Sequence, residues 1–146
     1  MASSSAMSTR VLYLFTFFCS IVLAICNESY ATEYDRQALL CFKSQLSGPS
    51  RALTSWSKTS LNFCNWDGVT CGEGRPHRVT AIDLASEGIT GTISPCIANL
   101  TSLTTLQLSD NSFHGSIPSK LGHLSELRNL NLSMNSLEGN ILSELS

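Results

Sequence analysis

A register of 24 residues runs through the second half of this chain, and a register that long limits it to one architectural type. Val79, Leu103 and Leu127 stand 24 apart, and the same step links Ile82, Leu106 and Leu130, then Leu84, Leu108 and Leu132. Ile89, Phe113 and Leu137 continue the pattern, as do Gly91, Gly115 and Gly139, then Ile93, Ile117 and Ile141, then Ile97, Leu121 and Leu145. A unit this short cannot bury its apolar positions alone, so successive units must stack and share one core, as the coils of a solenoid do.

Within a unit, the apolar pair flanking Gln107 predicts a short strand, followed by a turn and a looser stretch returning to the start. Asn111 and Asn135 fall in that turn, where an inward amide can satisfy backbone groups as both donor and acceptor. The first unit has Glu87 there; an ionised carboxylate cannot donate, so its turn is expected to be wider or more exposed. The glycine column suits positive φ or a close backbone approach. Units are expected at residues 79–102, 103–126 and 127–146, the last incomplete, leaving an open apolar end and strand edge.

Residues 32–78 precede the repeats and read as a cap over the solenoid end. An amphipathic helix is expected over residues 33–46, with Ala38, Leu39, Phe42 and Leu46 on one face. Thr32 and Asp35 resemble a capping box, and Ser47-Gly48-Pro49 a stop. The stretch from Cys64 to Cys71 reads as a hairpin turning at Asp67-Gly68, pinned by a disulfide that would contribute about 2.5 kcal/mol in the chain-entropy model. Cys41 and Cys96 are then left either to pair or to remain two buried thiols.

The amino terminus has the outline of a secretory leader. Val11 to Cys26 is almost unbroken apolar sequence after a segment whose one charge is Arg10, and Ser29 with Ala31 forms a small-residue cleavage pair. Cleavage after Ala31 removes residues 1–31 together with Cys19 and Cys26; cleavage after Cys26 and an uncleaved anchor are the alternatives. The apolar run is short for the roughly 20 residues of a membrane helix, and the mature chain is expected to have no span. The expected localisation is the secretory pathway and the extracellular space, or the plasma membrane if the chain is part of a longer receptor.

Several function classes find no support in these residues. A formal net charge of -2 offers no footprint for nucleic acid. Gly72-x-Gly74 lacks the third glycine of a nucleotide loop, His77, His114 and His123 show no metal-ligand spacing, and no serine sits in a nucleophile elbow. No catalytic, cofactor-binding or metal residue is assigned, and the chain is not expected to be an enzyme. Arg75, His77 and Arg78 read as a solvated basic edge.

Binding is what a solenoid supports, because its strands line up as an extended concave face. Outward strand positions are Ala81, Asp83 and Ala85 in the first unit, Thr105, Gln107 and Ser109 in the second, and Asn129, Asn131 and Ser133 in the third. Of these, Asp83, Thr105, Gln107, Ser109, Asn129 and Asn131 are the candidate contacts. Glycosylation sequons begin at Asn99 and Asn131, and at Asn27 if that residue is retained; Asn131 would carry its glycan on the concave face.

The order Asp35-Arg36-Gln37-Ala38-Leu39-Leu40, then Trp56, then Cys64-x-Trp66-x-Gly68-Val69-x-Cys71, then repeats reading Asn-x-Leu/Phe-x-Gly-x-Ile-Pro, resembles the plant leucine-rich-repeat receptor kinases over residues 33–146. The immune-type subfamily is the most similar. The resemblance implies a right-handed α/β solenoid with a disulfide-pinned helical cap, belonging to an ectodomain that perceives a peptide or microbial ligand with a co-receptor. In that family, further repeats, a membrane span and a serine/threonine kinase follow. A small secreted repeat protein, acting as an enzyme inhibitor or receptor decoy, is the alternative reading.

Overall fold

The computed structural model describes residues 9–60 and 62–139. Helix α1 (Thr9–Lys43) leads into a two-residue strand β1 (Leu46–Ser47), a short helix α2 (Arg51–Ser55), a 3-10 turn at Phe63–Asn65 and strand β2 (Val69–Cys71). Three coils follow. Their first strands are β3 (Val79–Asp83), β5 (Thr105–Gln107) and β7 (Asn129–Asn131); their second strands are β4 (Thr90–Thr92), β6 (Ser112–Ser116) and β8 (Ser136–Glu138). Short 3-10 helices at Pro95–Asn99 and Ser119–His123 close the first two coils.

Two sheets result, ordered β2-β3-β5-β7 and β1-β4-β6-β8. In each, the repeat strands run parallel and one strand from the cap pairs antiparallel at the edge. The expected strand is present in every coil, with Leu106 opposite Ile82 and Leu130, in the 24-residue step of the sequence. The returning stretch is more regular than expected. Its strands form the second sheet, where Gly91 faces Phe113 and Gly115 faces Leu137, a step of 22. The two-residue slip amounts to about 7 Å along the strand per coil.

The core is the stack of repeat columns continued into the cap. Val79, Ile82, Leu84, Ile89, Leu103, Leu106, Leu108 and Phe113 are fully buried, and Ala38, Leu39, Phe42, Trp56 and Trp66 extend the same cluster. Trp56 stacks on Trp66 with ring centroids 5.7 Å apart, and its indole N–H donates to the Asp67 carbonyl at 2.9 Å. Ile141 and Leu145, the last members of their columns, lie outside the described residues.

The cap departs from expectation in several places. Helix α1 ends at Lys43, before Leu46, which instead pairs with Gly91 in β1. The helix also runs unbroken through residue 32, so Thr32 and Asp35 do not form a capping box. Asp35, completely buried, accepts from Arg78 Nε at 2.9 Å, Arg78 Nη2 at 2.7 Å and the Val79 N–H at 2.8 Å. Arg78 is thus a structural partner and not part of a solvated edge.

The stretch from Cys64 to Cys71 is not a hairpin: Cys64 lies in the 3-10 turn, and only Val69–Cys71 is a strand, paired with β3. The short loop gives its strand a better partner in the first coil than in itself. Both disulfides are present, Cys64–Cys71 with Cα atoms 5.6 Å apart and Cys41–Cys96 with Cα atoms 6.0 Å apart.

Phe15 and Phe17 in the amino-terminal part of α1 are exposed, and the core begins at Ala38. Among the described residues, no helix is long and apolar enough to cross a membrane.

Candidate binding face

The turn asparagines hold one coil to the next. Asn111 Nδ2 donates to the carbonyl of Leu84 in the preceding coil at 2.7 Å and to Leu108 and Ser109 in its own at 3.1 Å, while its Oδ1 accepts from Ile89 N at 2.9 Å. Asn135 repeats the set one coil on, reaching Leu108, Leu132 and Ser133 and accepting from Phe113 N. A single planar amide therefore satisfies donors and acceptors that the turning chain would otherwise bury unpaired.

The first turn is not wider, contrary to expectation. Ser86 has φ 57°, matching Asp110 at 56° and Met134 at 54°, and Glu87 is half-buried like Asn111. Its preceding neighbour is the cap, where Ser50 donates its hydroxyl to Glu87 Oε2 at 2.9 Å. The donor comes from the cap, so the coil does not need an amide there. The same Ser50 oxygen accepts from Leu53 N and so starts α2. The left-handed residue before each asparagine column carries no glycine signal and was missed by pattern reading.

The glycine column separates into two cases. Gly91, Gly115 and Gly139 all have positive φ, at 146°, 74° and 105°. Only Gly91 also faces a close approach, since a Cβ there would run into the Gln45 carbonyl of the cap.

With its edges supported in this way, the first sheet presents one continuous face. The cap contributes a strand that sequence reading placed elsewhere: Thr70 stands opposite Ala81, followed across the sheet by Thr105 and Asn129. A second row runs Asp83, Gln107, Asn131. Asn129 Nδ2 donates to Thr105 Oγ1 at 3.3 Å, whereas Asp83 and Asn131 turn back on their own strands, Asp83 accepting from Ala85 N and Asn131 from Ser133 N and Oγ. Among the described residues the Gln107 amide has no hydrogen-bond partner, and it is half-buried at the middle of the sheet. Four strands at about 4.8 Å spacing make a face about 14 Å across.

The remaining candidates lie elsewhere. Asn99 is exposed at the end of its 3-10 helix, away from the concave sheet, and the hydroxyl of Thr101 in its sequon accepts from Arg78 Nη2 at 3.2 Å. The side chain of Asn27 lies outside the described residues. At the far end of the cap, Arg36 donates twice to Glu33, and Gln37 donates once. Those bonds hold the Glu33 carboxyl down at about 2. Asp35 in turn raises the pKa of Arg78 through their hydrogen bonds.

Comparison with known proteins agrees with this geometry. Residues 32–72 match the leucine rich repeat N-terminal domain, and residues 102–124 and 126–146 match the leucine rich repeat. In Arabidopsis thaliana, the LRR receptor-like serine/threonine-protein kinase EFR is 47% identical over 92 residues, and the probable kinase At3g47570 is 44% identical over 96. These alignments take in 60% and 65% of the chain but only 9% of each kinase. The chain thus spans about a tenth of the length of these relatives.

Among solved structures, the Arabidopsis BIR2 ectodomain superposes with a TM-score of 0.70 at 35% identity, covering 76% of this chain and 60% of that one. The receptor kinase HAESA, in complex with the peptide hormone IDA and the co-receptor SERK1, gives 0.63 at 33% identity, over 70% of this chain and 17% of that one. The chain is a leucine-rich-repeat N-terminal domain followed by leucine-rich repeats, and its homologues are the plant leucine-rich-repeat receptor-like serine/threonine kinases.

Proposed function

We propose that this chain is the membrane-distal end of a plant cell-surface receptor, routed through the secretory pathway by residues 1–31 and displayed outside the cell, with residues 32–78 as its cap and residues 79–146 as its first repeats. The observation carrying this reading is the continuous sheet face that runs from Thr70 in the cap across Ala81 to Thr105 and Asn129, beside the polar row Asp83, Gln107 and Asn131. A protein or peptide ligand would lie across it, contacting Asp83, Thr105, Gln107, Ser109, Asn129 and Asn131. A face about 14 Å across is small against the roughly 800 Å² per partner of a standard interface, so further repeats and a co-receptor would complete recognition. Glycans would sit on Asn99, behind the face, and on Asn131, upon it.

The deciding measurement is an immunoblot of soluble and membrane fractions from native tissue, with an antibody against residues 33–71. A membrane band far larger than 15.8 kDa is expected. A small soluble extracellular band would instead support a stand-alone inhibitor or decoy and overturn the receptor reading.

A further inference from the structure

The back of the cap carries a feature that the concave face does not need. Segment 56–58 is laid along α1 by two bonds, Lys43 Nζ to the Trp56 carbonyl at 2.6 Å and Arg36 Nη1 to the Lys58 carbonyl at 3.0 Å. Between helix and segment run two adjoining clefts of about 390 and 530 Å³ that share Leu40, Ser44 and Lys58. Arg36, Lys43 and Lys58 line them, with hydroxyls of Ser44, Thr54 and Ser57, and among the described lining residues there is no carboxylate.

The charge here is opposite in sign to the chain as a whole, which is -2. Glu33 offsets Arg36 through their paired hydrogen bonds. Lys43 gives a proton donor to a neutral carbonyl and keeps its charge uncompensated. Lys58 is exposed, and among the described residues its ammonium has no hydrogen-bond partner. The uncompensated cations are therefore Lys43 on the helix and Lys58 on the facing segment, while Arg36, paired with Glu33, lies two turns or about 10 Å from Lys43 along the same helix face.

We infer that this groove binds an acidic oligosaccharide of the uronic-acid type, held by its carboxylates on Lys43 and Lys58 and by its hydroxyls on Ser44 and Ser57. The polar lining decides between classes of polyanion. Ser44 and Thr54 already donate their hydroxyls to the Cys41 and Arg51 carbonyls and Ser57 is bonded to Thr59, so what they offer is oxygen lone pairs, and a saccharide presents hydroxyl donors along its whole length to meet them. An acidic peptide needs partners for its backbone, and the groove is walled by a helix, whose amides are already paired, and by a segment with no ladder edge. The site stands apart from the concave face and does not depend on what binds there.

The test is titration of the whole secreted protein with a uronic-acid decamer, a neutral glucan of equal length and poly-glutamate, at low and physiological salt. Binding of the decamer that weakens with salt is expected, with neither of the other two bound comparably. Lys58→Glu should weaken it about tenfold and Lys58→Arg should retain it, while Arg128→Glu, on the third coil, leaves it unchanged. Equal binding of poly-glutamate would replace the saccharide by an acidic peptide. No binding of the decamer beyond the neutral glucan, or an unaltered affinity in Lys58→Glu, would overturn the proposal.

Discussion

The cap and the repeats are joined in one core but are held together differently. In the repeats, each coil-to-coil contact is made several times over, by parallel strand bonds on both sides, by columns of buried leucine and isoleucine and by an asparagine amide. The cap shares that core and pairs one strand at the edge of each sheet, but each of its side-chain links to the first coil is made once. One buried carboxylate joins α1 to β3, one disulfide joins α1 to the first 3-10 helix, and one hydroxyl joins α2 to the first turn. Redundancy spreads the cost of a lost contact, whereas a single link concentrates it.

The sharpest way to break that comparison is at Asp35. Asp35→Ala strips Arg78 of its partner and leaves the Val79 N–H unpaired at a fully buried site, and a loss of about 3–5 kcal/mol is expected from denaturant unfolding. A loss below 1 kcal/mol would show that the cap has a second connection of equal weight. Next in size is the disulfide across 55 residues, which the chain-entropy model values at about 4 kcal/mol. Replacing Cys41 and Cys96 together by serine should lower the unfolding midpoint accordingly and more than the same change at Cys64 and Cys71, whose separation is 7.

A single repeat position should cost less. Asn111→Ala removes one amide from four backbone partners, yet strands and leucine columns on both sides remain, so about 1–3 kcal/mol is expected. A value near that of Asp35→Ala would erase the distinction between the two regions.

The smallest effect belongs to Glu33. Its carboxyl is held at about 2, below the usual carboxylate range, so its contribution is present above pH 4.5 and fades as pH falls toward 2. The carboxylate is exposed, so the whole contribution is that of a surface pair, about 0.2–1 kcal/mol, and 1 M salt should screen it. Acid titration of Glu33→Gln against the parent chain measures it.

Most of the repeat region was legible because periodicity is a statement about neighbours. Once Leu106 is known to recur at 24, its partners Ile82 and Leu130 follow without coordinates. The cap has no such recurrence. Cys41 and Cys96 could be counted but not paired, and Asp35 resembled a helix cap from local spacing while its real partner was 43 residues away. The concave face was legible through its repeat positions and incomplete at Thr70, since Val69–Cys71 looked like one arm of a local hairpin. An antiparallel partner in the first coil outcompetes a short loop folding on itself.

By itself, the sequence determined that coils stack, which residues face inward, where the asparagines turn and which face is polar. Those are consequences of one apolar register that no other arrangement can bury. Only the tertiary structure decided that the second sheet steps by 22 and not 24, that Ser50 serves where Glu87 lacks a donor, and that Arg78 belongs to Asp35. Each of those depends on which groups from distant parts of the chain arrive side by side with donors and acceptors unmet, a matter of packing that local pattern does not encode.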